Sequence, residues 1–285
     1  MGKIFVVATP IGNLNDISKR AISVLENCSL ILAEDTRHSL KLLNHLNIKN
    51  TLMSYHKFNE RERSEYIIDK IFNEDIDVAL ISDAGTPCIQ DPGFMLISTA
   101  RKKNIEVISI PGPSALLSAL SVCGFKVDEF TFYGFLPREK SDRYKKLACI
   151  KNKSDKVFVL YESPKRIKDL LLDITELFGN SEICVCSDIS KIYERYYFGN
   201  VRDVYDEILK NDKSELGEYV AVVNNLEYIE IEEDQISIEA LIMDEMVKEN
   251  ISLKEALISV SIKHNIGKND CYKASLKIKE ILQNK

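Results

Sequence analysis

The chain has 285 residues, of which 45% are hydrophobic and 29% charged, so it is long enough for a substantial core and for two domains. Its formal net charge of -6 argues against nonspecific nucleic-acid binding over the whole surface, and no apolar stretch approaches the length of a membrane span. The amino-terminal residues run directly into a predicted strand and turn, so we expect neither secretion nor membrane association.

Cysteine and histidine are distributed without the spacing of a disulfide framework or a metal site. The seven cysteines include no CxxC pair and are odd in number, which is typical of a reducing compartment, so we expect a cytoplasmic protein. The four histidines show neither close i, i+4 pairing nor the neighbouring cysteines that a zinc site requires. We therefore predict no metal site.

The chain begins with a predicted strand, a loop and a helix. The strand covers residues 3–8 and the loop covers 9–14, after which Asp16 is positioned to cap the helix. The loop lacks the GxGxxG pattern of dinucleotide-binding folds, so the main sequence evidence for a nicotinamide cofactor is absent.

Four polar residues follow the second predicted strand and precede a helix predicted over 38–46. Glu34, Asp35 and Arg37 stand where a doubly wound sheet places its ligands. The same segment equally fits the capped start of a helix, in which Asp35 or Thr36 accepts hydrogen bonds from backbone amides. After it, the polar and aromatic segment 54–63 is predicted to be an exposed loop that enters another helix.

The central feature of the chain is the stretch 78–93, an apolar strand followed by a long loop rich in glycine, proline and aspartate. Pro87 and Pro92 exclude a continued strand, and the apolar run from Phe94 fits a helix. A plain connection between strand and helix is usually shorter, so the loop is predicted to bind a ligand. The next strand, 106–110, leads to a helix of small residues. This alternation predicts a parallel sheet covered on both faces.

After Gly124 the pattern changes, and an aromatic strand over 130–137 is predicted to cross into a second domain, followed by a basic helix over 139–151. Further strands are predicted at 157–161, 182–186, 193–199 and 219–224. The last two alternate well enough to pair antiparallel. The second half is therefore predicted to be a mixed α+β domain.

Charge is uneven along the second half. Residues 137–168 carry eleven Lys and Arg against four Asp and Glu, 227–249 carry nine acids and one lysine, and 252–285 carry seven basic residues against three acids. This distribution fits an RNA partner and fits a solvated surface equally well. Three helical patterns follow the acidic segment, the middle one with a capping box formed by Ser252 and Glu255. They fit a small helical cap better than a DNA-reading helix-turn-helix.

Together these patterns predict three parts of the chain. They are an N-terminal α/β domain over 1–124, a C-terminal α+β domain over 125–226, and an acidic connector with a helical extension over 227–285.

Seven motifs occur in an order and spacing that resemble one family. They are TPIGNL at 9–14, AEDTR at 33–37, SDAGTPCIQDPG at 82–93, PGPSA at 111–115, GFLPR at 134–138, YESPKR at 161–166 and GEYVAVV at 217–223. The chain resembles the ribosomal RNA small subunit methyltransferase I family, the cytidine 2'-O-methyltransferases within the tetrapyrrole methylase superfamily. It departs from the family pattern at Phe58 and Lys165, where histidine is usual, and over 186–190.

The resemblance implies an α/β, two-domain tetrapyrrole-methylase-like fold with a mostly parallel N-terminal sheet, a mixed α+β second domain and a small helical C-terminal extension. It also implies S-adenosylmethionine as co-substrate, bound in the cleft between the domains without a metal. The implied acceptor is the 2'-hydroxyl of a decoding-region cytidine in small-subunit ribosomal RNA, with the assembled small subunit as the expected setting and a homodimer as the expected assembly.

The resemblance and the charge pattern together predict three sets of site residues. The predicted cofactor-binding residues are Pro10, Asp83, Ala84, Gly85, Thr86, Ile89, Ser114, Ala115 and Glu162. The predicted catalytic residues are Glu34, Asp35 and Arg37, with Asp35 as the base that removes the hydroxyl proton. The predicted substrate-binding residues are Tyr55, His56, Arg138, Lys145, Lys165 and Arg166.

Two other functions share parts of this pattern. A tetrapyrrole methylase of the precorrin type would use the same cofactor loops, although the segments at 33–37 and 54–63 fit RNA better. A nonenzymatic RNA- or DNA-binding module would explain the basic stretches but would leave the central loop without a role.

Overall fold

The structure, a computed structural model, describes residues 2–153, 155–226, 237–264 and 266–283. The strands are Ile4–Val7 (β1), Leu30–Ala33 (β2), Leu52–Ser54 (β3), Val78–Ile81 (β4), Val107–Ile110 (β5), Thr131–Phe135 (β6), Val157–Glu162 (β7), Glu182–Ser187 (β8), Arg195–Asn200 (β9) and Tyr219–Asn224 (β10). The helices are Lys19–Asn27 (α1), Thr36–His45 (α2), Glu60–Glu74 (α3), Phe94–Lys102 (α4), Ala115–Val122 (α5), Lys140–Asn152 (α6), Ile167–Leu177 (α7), Val201–Leu209 (α8), Ile238–Glu249 (α9), Leu253–Lys263 (α10) and Lys268–Gln283 (α11).

The first sheet has the strand order β3-β2-β4-β1-β5, and every pair in it is parallel. All four residues of the central strand β4 are buried, because helices cover both faces of the sheet and an apolar cluster lies on each face. The predicted parallel sheet is confirmed. Because parallel strands end at the same edge, the loops after β1, β2, β4 and β5 meet there.

The second sheet has the order β6-β7-β10-β8-β9, in which β6 and β7 are parallel and the other pairs are antiparallel. One face packs on α6, α7 and α8, and the other face packs on α5. Since β10 runs antiparallel to β7, the amino end of β10 lies at the same edge as the carboxyl end of β7. The predicted mixed sheet is confirmed.

Several local predictions were wrong or incomplete. Ser18, not Asp16, caps α1, and its hydroxyl accepts from the Ala21 N–H. Both β9 and β10 pair antiparallel with β8 rather than with each other, because alternation predicts a strand and not its partner. Strand β3 and helices α7 and α8 were not predicted.

By its internal contacts the chain divides into two compact units, Met1–Tyr228 and Ile229–Lys285. Both sheets belong to the first unit, and the boundaries predicted at 124 and 226 stay predictions. The second unit contains α9, α10 and α11 around a small apolar core, and the predicted capping box at Ser252 and Glu255 is confirmed. The part 227–236 of the predicted acidic connector lies outside the described residues. Within the described chain, no helix has the length and hydrophobicity needed to span a membrane.

Candidate active site

A cavity of about 580 Å³ lies within the first unit, where the loops at the carboxyl edge of the first sheet face the second sheet. Its size is within the usual range for a small-molecule site. All predicted cofactor-binding residues except Pro10 line it, namely Asp83, Ala84, Gly85, Thr86, Ile89, Ser114, Ala115 and Glu162. Pro10 is buried beside Ile11, which lines the cavity in its place.

The central loop is held in place by backbone hydrogen bonds to the first loop. Thr9 and Gly85 exchange two of them, with N–H to oxygen distances of 2.9 and 3.0 Å. Gly85 has a φ of +84°, which side-chain-bearing residues rarely adopt. A β-carbon there would also lie 3.4 Å from Cγ2 of Ile11. Glycine therefore serves both the backbone conformation and the cavity wall at this position.

The second sheet contributes an apolar wall. The rings of Phe135 and Tyr161 pack edge to face with centroids 5.7 Å apart, and both residues line the cavity. The Tyr161 hydroxyl accepts from the Leu116 N–H at 3.0 Å, which ties the first turn of α5 to β7. These contacts fix the wall that faces the central loop.

Glu162 is a buried carboxylate with one oxygen satisfied and one free. Its Oε1 accepts from the Ser163 N–H and pairs with Nη2 of Arg166, each at 2.6 Å. Its Oε2 has no hydrogen-bond partner among the described residues although it is buried. Leaving a buried carboxylate oxygen unpaired is costly, so this atom fits a donor group on a ligand in the cavity.

The cavity is acidic. Among the described residues that line it, five carry carboxylates and none carries a cationic side chain. Burial is the main cause that raises the pKa of Asp91 to about 7, and the nearby charges of Glu34 and Asp83 add to the rise. Burial, followed by the charge of Asp83, also raises the pKa of Glu34. Such a cavity suits a cationic ligand, and it holds carboxylates able to accept a proton near neutral pH.

Asp35 and Arg37 do not line the cavity. The guanidinium of Arg37 donates twice to the Asp35 carboxylate, at 3.1 and 2.7 Å, and the Arg37 side chain is 88% exposed. Oδ1 of Asp35 also accepts the Arg37 N–H and caps α2, so the helix-cap interpretation is confirmed. Hydrogen bonds from Arg37 hold the pKa of Asp35 well below its usual range. These contacts weaken Asp35 as a base, and the catalytic role that the sequence predicts for it stays a prediction.

The predicted substrate residues Tyr55 and His56 lie beside the cavity, at the end of β3. Tyr55 is fully buried, and its hydroxyl is within hydrogen-bonding distance of Ser64 at 2.9 Å and donates to Glu60 at 3.3 Å. A direct substrate contact by Tyr55 is therefore wrong, because its ring belongs to the core. His56 is half-buried, and its N–H donates to Asn59.

The basic stretch is less available than its local charge suggests. Arg138 and Lys165 are exposed, whereas Lys145 pairs with Asp142 at 3.6 Å. Arg166 is engaged with Glu162 and with the carbonyl oxygens of residues 136 and 137. Within α6, Arg143 is buried and pairs with Asp173 at 2.6 Å. Two cations of the stretch thus stabilise the fold, and neither is free to bind phosphate.

Sequence reasoning missed several lining residues. They are Ile11, Gln90, Asp91, Phe135, Tyr161, Ser163, Pro164 and the segment 217–220. Asp91 belongs to the predicted central loop, and its position among acids at strand ends was the available signal. The segment 217–220 reaches the cavity only because β10 is antiparallel to β7, which its sequence does not reveal.

Comparison with known proteins identifies the family. The profile of the tetrapyrrole (corrin/porphyrin) methylases matches residues 3–205. The protein named ribosomal RNA small subunit methyltransferase I from Buchnera aphidicola is 37% identical, covering 98% of this chain and 97% of the relative. The chain belongs to the ribosomal RNA small subunit methyltransferase I family. The family's protein from Pseudomonas aeruginosa is 38% identical over 96% of this chain and 97% of its own.

Family membership confirms the resemblance seen in the motifs and shows that the chain is a methyltransferase. Solved structures show the fold. The methyltransferase CobJ has a TM-score of 0.57 at 15% identity, covering 79% of this chain and 95% of its own. A uroporphyrin-III C-methyltransferase from Thermus thermophilus, complexed with S-adenosylhomocysteine, has a TM-score of 0.52 at 13% identity, covering 78% and 97%. The predicted tetrapyrrole-methylase-like fold is confirmed.

Proposed function

We propose that this methyltransferase transfers the methyl group of S-adenosylmethionine to the 2'-hydroxyl of a cytidine in the decoding region of small-subunit ribosomal RNA. The observation that carries the proposal is the acidic cavity at the carboxyl edge of the first sheet, in a chain of this family. S-adenosylmethionine supplies a methyl group on a positively charged sulfur. Among the described lining residues are five carboxylates; Glu162 and Glu218 are paired with Arg166 and Lys191, and the other three attract that charge.

The residues present fit this donor in three ways. Oε2 of Glu162 is a buried acceptor without a partner among the described residues, so it suits an amino or hydroxyl group. The apolar wall of Phe135 and Tyr161 suits an adenine ring. Gly85 lines the cavity without a side chain of its own, so its backbone can approach a ligand closely.

The acceptor chemistry requires loss of a hydroxyl proton. As the oxygen–methyl bond forms and the sulfur–methyl bond breaks, the proton of the 2'-hydroxyl passes to a carboxylate of the cavity. We assign this role to Asp91, with Glu34 as the second choice, because their pKa values are raised toward neutrality by burial and by neighbouring charge. Most of the remaining catalysis comes from holding donor and acceptor in line.

The RNA side of the proposal rests on exposed cations. Arg37, Arg138 and Lys165 are exposed, and so is Lys145 despite its partner Asp142. The resemblance of the motifs to the family supports the finer expectations, namely assembled small subunits as substrate, a homodimer, a cytoplasmic setting and no metal requirement.

One experiment tests the function. The protein is incubated with labelled S-adenosylmethionine and either free small-subunit RNA or assembled small subunits, each from cells lacking this methyltransferase, and the labelled nucleotide is mapped. We expect label on one cytidine ribose. Label on uroporphyrinogen or a precorrin, supplied in parallel, would contradict the proposal in favour of a tetrapyrrole methylase. RNA binding without donor binding in titration calorimetry would favour a nonenzymatic module.

A further inference from the structure

Two phenylalanine rings of the first unit project into solvent. Phe58 is 96% exposed and Phe94 is 75% exposed. Burying a phenylalanine side chain is worth about 1.5–3 kcal/mol, so the fold gains little from either ring where it stands. Aromatic rings held in this way are a usual feature of sites that stack planar ligands.

Phe58 stands on a turn that is fixed by hydrogen bonds. The carboxamide oxygen of Asn59 accepts the His56 N–H at 2.8 Å, and the Asn59 N–H donates to the His56 carbonyl at 2.9 Å. The Asn59 amide group also donates to the Ser54 carbonyl at 3.2 Å. The only ring near Phe58 among the described residues is that of His56, edge-on at 6.1 Å. The turn therefore presents the phenyl ring without covering it.

One carboxylate joins the two ring-bearing segments. Glu60, two residues after Phe58, accepts the backbone N–H groups of Gly93 and Met95 through Oε1, each at 2.9 Å. These two amides flank Phe94. Phe58 is two residues before Glu60, and Phe94 lies between the two residues whose N–H groups Glu60 accepts. The Glu60 carboxylate therefore holds the start of α3, and with it Phe58, close to the start of α4, which contains Phe94.

The same segments border the cavity. The Tyr55 N–H donates to the Ala33 carbonyl at 2.8 Å, and the next residue after Ala33 is Glu34, which lines the cavity. On the other side, Asp91 lines the cavity three residues before Phe94. The two rings are therefore carried by segments that adjoin cavity-lining residues, although neither ring lines the cavity itself.

We propose that Phe58 and Phe94 form a stacking platform for an unpaired nucleobase of the RNA, next to the nucleotide that is methylated. The inference rests on the proposed function and adds a nucleobase subsite to it. Single-stranded RNA is commonly held by bases stacked on aromatic side chains. The distribution of charge is consistent with this platform. Carboxylates line the cavity that would receive the ribose hydroxyl. Lys57 and Arg61 are exposed in the segment that contains Phe58, where they could contact RNA phosphates.

The test replaces each ring by leucine, in Phe58→Leu, Phe94→Leu and the double leucine variant, and replaces the first ring by tryptophan in Phe58→Trp. Phe72→Leu is the matched control, because Phe72 is 44% exposed at the opposite end of α3. Donor affinity is measured by calorimetry, and kcat and KM are measured with unmethylated small subunits. An RNA oligonucleotide that carries 2-aminopurine beside the target cytidine reports stacking through quenching of its fluorescence.

We expect the double leucine variant to raise the KM for RNA about ten- to hundredfold, to abolish the quenching and to leave donor affinity unchanged. Phe58→Trp should keep the wild-type KM, because a larger ring still stacks, and Phe72→Leu should behave as wild type. Wild-type KM and quenching in the double leucine variant would overturn the platform while the methylation of RNA still stands. A change of oligomeric state in that variant, without a change in quenching, would overturn it in favour of an interface between copies. The absence of any RNA methylation by the wild type would instead contradict the proposed function.

Discussion

The two sheets contribute different chemistry to one cavity. The first sheet contributes three carboxylates on loops at strand ends, those of Glu34, Asp83 and Asp91. The second contributes an apolar wall and a single buried carboxylate, Glu162, which Arg166 holds by an ion pair. From this difference we infer that proton acceptance depends on carboxylates of the first side, whereas the second side adds to the retention of the donor. Variants of the acids on the first side should lose rate, and variants on the second side should lose donor affinity.

The largest expected effect is that of Asp91→Asn. The amide keeps the size of the carboxylate but cannot accept a proton, so single-turnover methyl transfer should fall by about two to four orders of magnitude with donor affinity largely kept. Glu218→Gln is the matched control, since Glu218 lines the cavity from the second sheet and is exposed. A nearly normal rate for Asp91→Asn under saturating donor and RNA would remove Asp91 from the chemistry.

Because of Asp91, both the rate of methyl transfer and the stability of the fold should depend on pH. Its pKa is raised to about 7, so the wild-type rate should increase with pH up to about 7, where the carboxylate becomes ionised. The stability of the fold should change with pH in the opposite direction. Between about pH 4 and about pH 7 the folded chain keeps a proton on Asp91 that the unfolded chain releases. The stabilisation from this raised pKa is therefore fully present below about pH 4 and is lost as pH rises through about 7. In chemical denaturation, Asp91→Asn should therefore be more stable than the wild type at pH 8, and a wild-type advantage there would contradict the raised pKa.

Gly85→Val tests whether the first sheet also shapes the donor space. Valine is strained at a φ of +84° and its side chain enters the cavity toward Ile11, so we expect donor affinity to fall about a hundredfold. Gly124→Val is the control for strain alone, because Gly124 has a φ of +74° and does not line the cavity. Calorimetry on both folded variants separates the effects, and equal donor affinities would place the ligand elsewhere.

The effect of Glu162→Gln should be smaller and should differ in kind. The substitution removes the charge that pairs with Arg166 and turns one oxygen of the site into a hydrogen-bond donor, so we expect donor affinity to fall about tenfold. The single-turnover rate at saturating donor should change little. A loss of rate with unchanged donor affinity would contradict the inference that the second side of the cavity contributes to donor binding rather than to proton transfer.

Much of the first side of the cavity could be predicted from the sequence. The loop that contains Gly85 can be recognised from the sequence, because glycine, proline and aspartate follow a predicted buried strand. Its place in the site could also be predicted, because the strand ends of a parallel sheet meet at one edge. The role of Asp91 could not be predicted in the same way. It depends on the proximity of Glu34 and on burial, and both arise only when β2 and β4 pair.

The second side was less predictable for a topological reason. Tyr219 and its neighbours reach the cavity because β10 is inserted antiparallel between β7 and β8, and alternation of apolar residues does not specify a partner. The burial of single residues could likewise not be predicted from the local sequence. Tyr55 stands in a polar segment, yet its ring fills the core beneath α3 and α4, so a local pattern predicted exposure where packing decided otherwise.

Asp35→Asn should have the smallest effect, although Asp35 and Asp91 both lie in loops that follow strands of the first sheet. The Asp35 carboxylate lies outside the cavity, caps α2 and is engaged by Arg37, which holds its pKa well below the usual range. Asparagine is an equally good helix cap, and an exposed ion pair contributes little, so the melting temperature and the rate of methyl transfer should stay close to wild type. Measured beside Asp91→Asn under the same saturating conditions, the pair of variants shows which carboxylate accepts the proton. A loss of two or more orders of magnitude in Asp35→Asn, with donor and RNA binding kept, would return the base to Asp35 and would mean that RNA binding draws Arg37 away from it toward a phosphate.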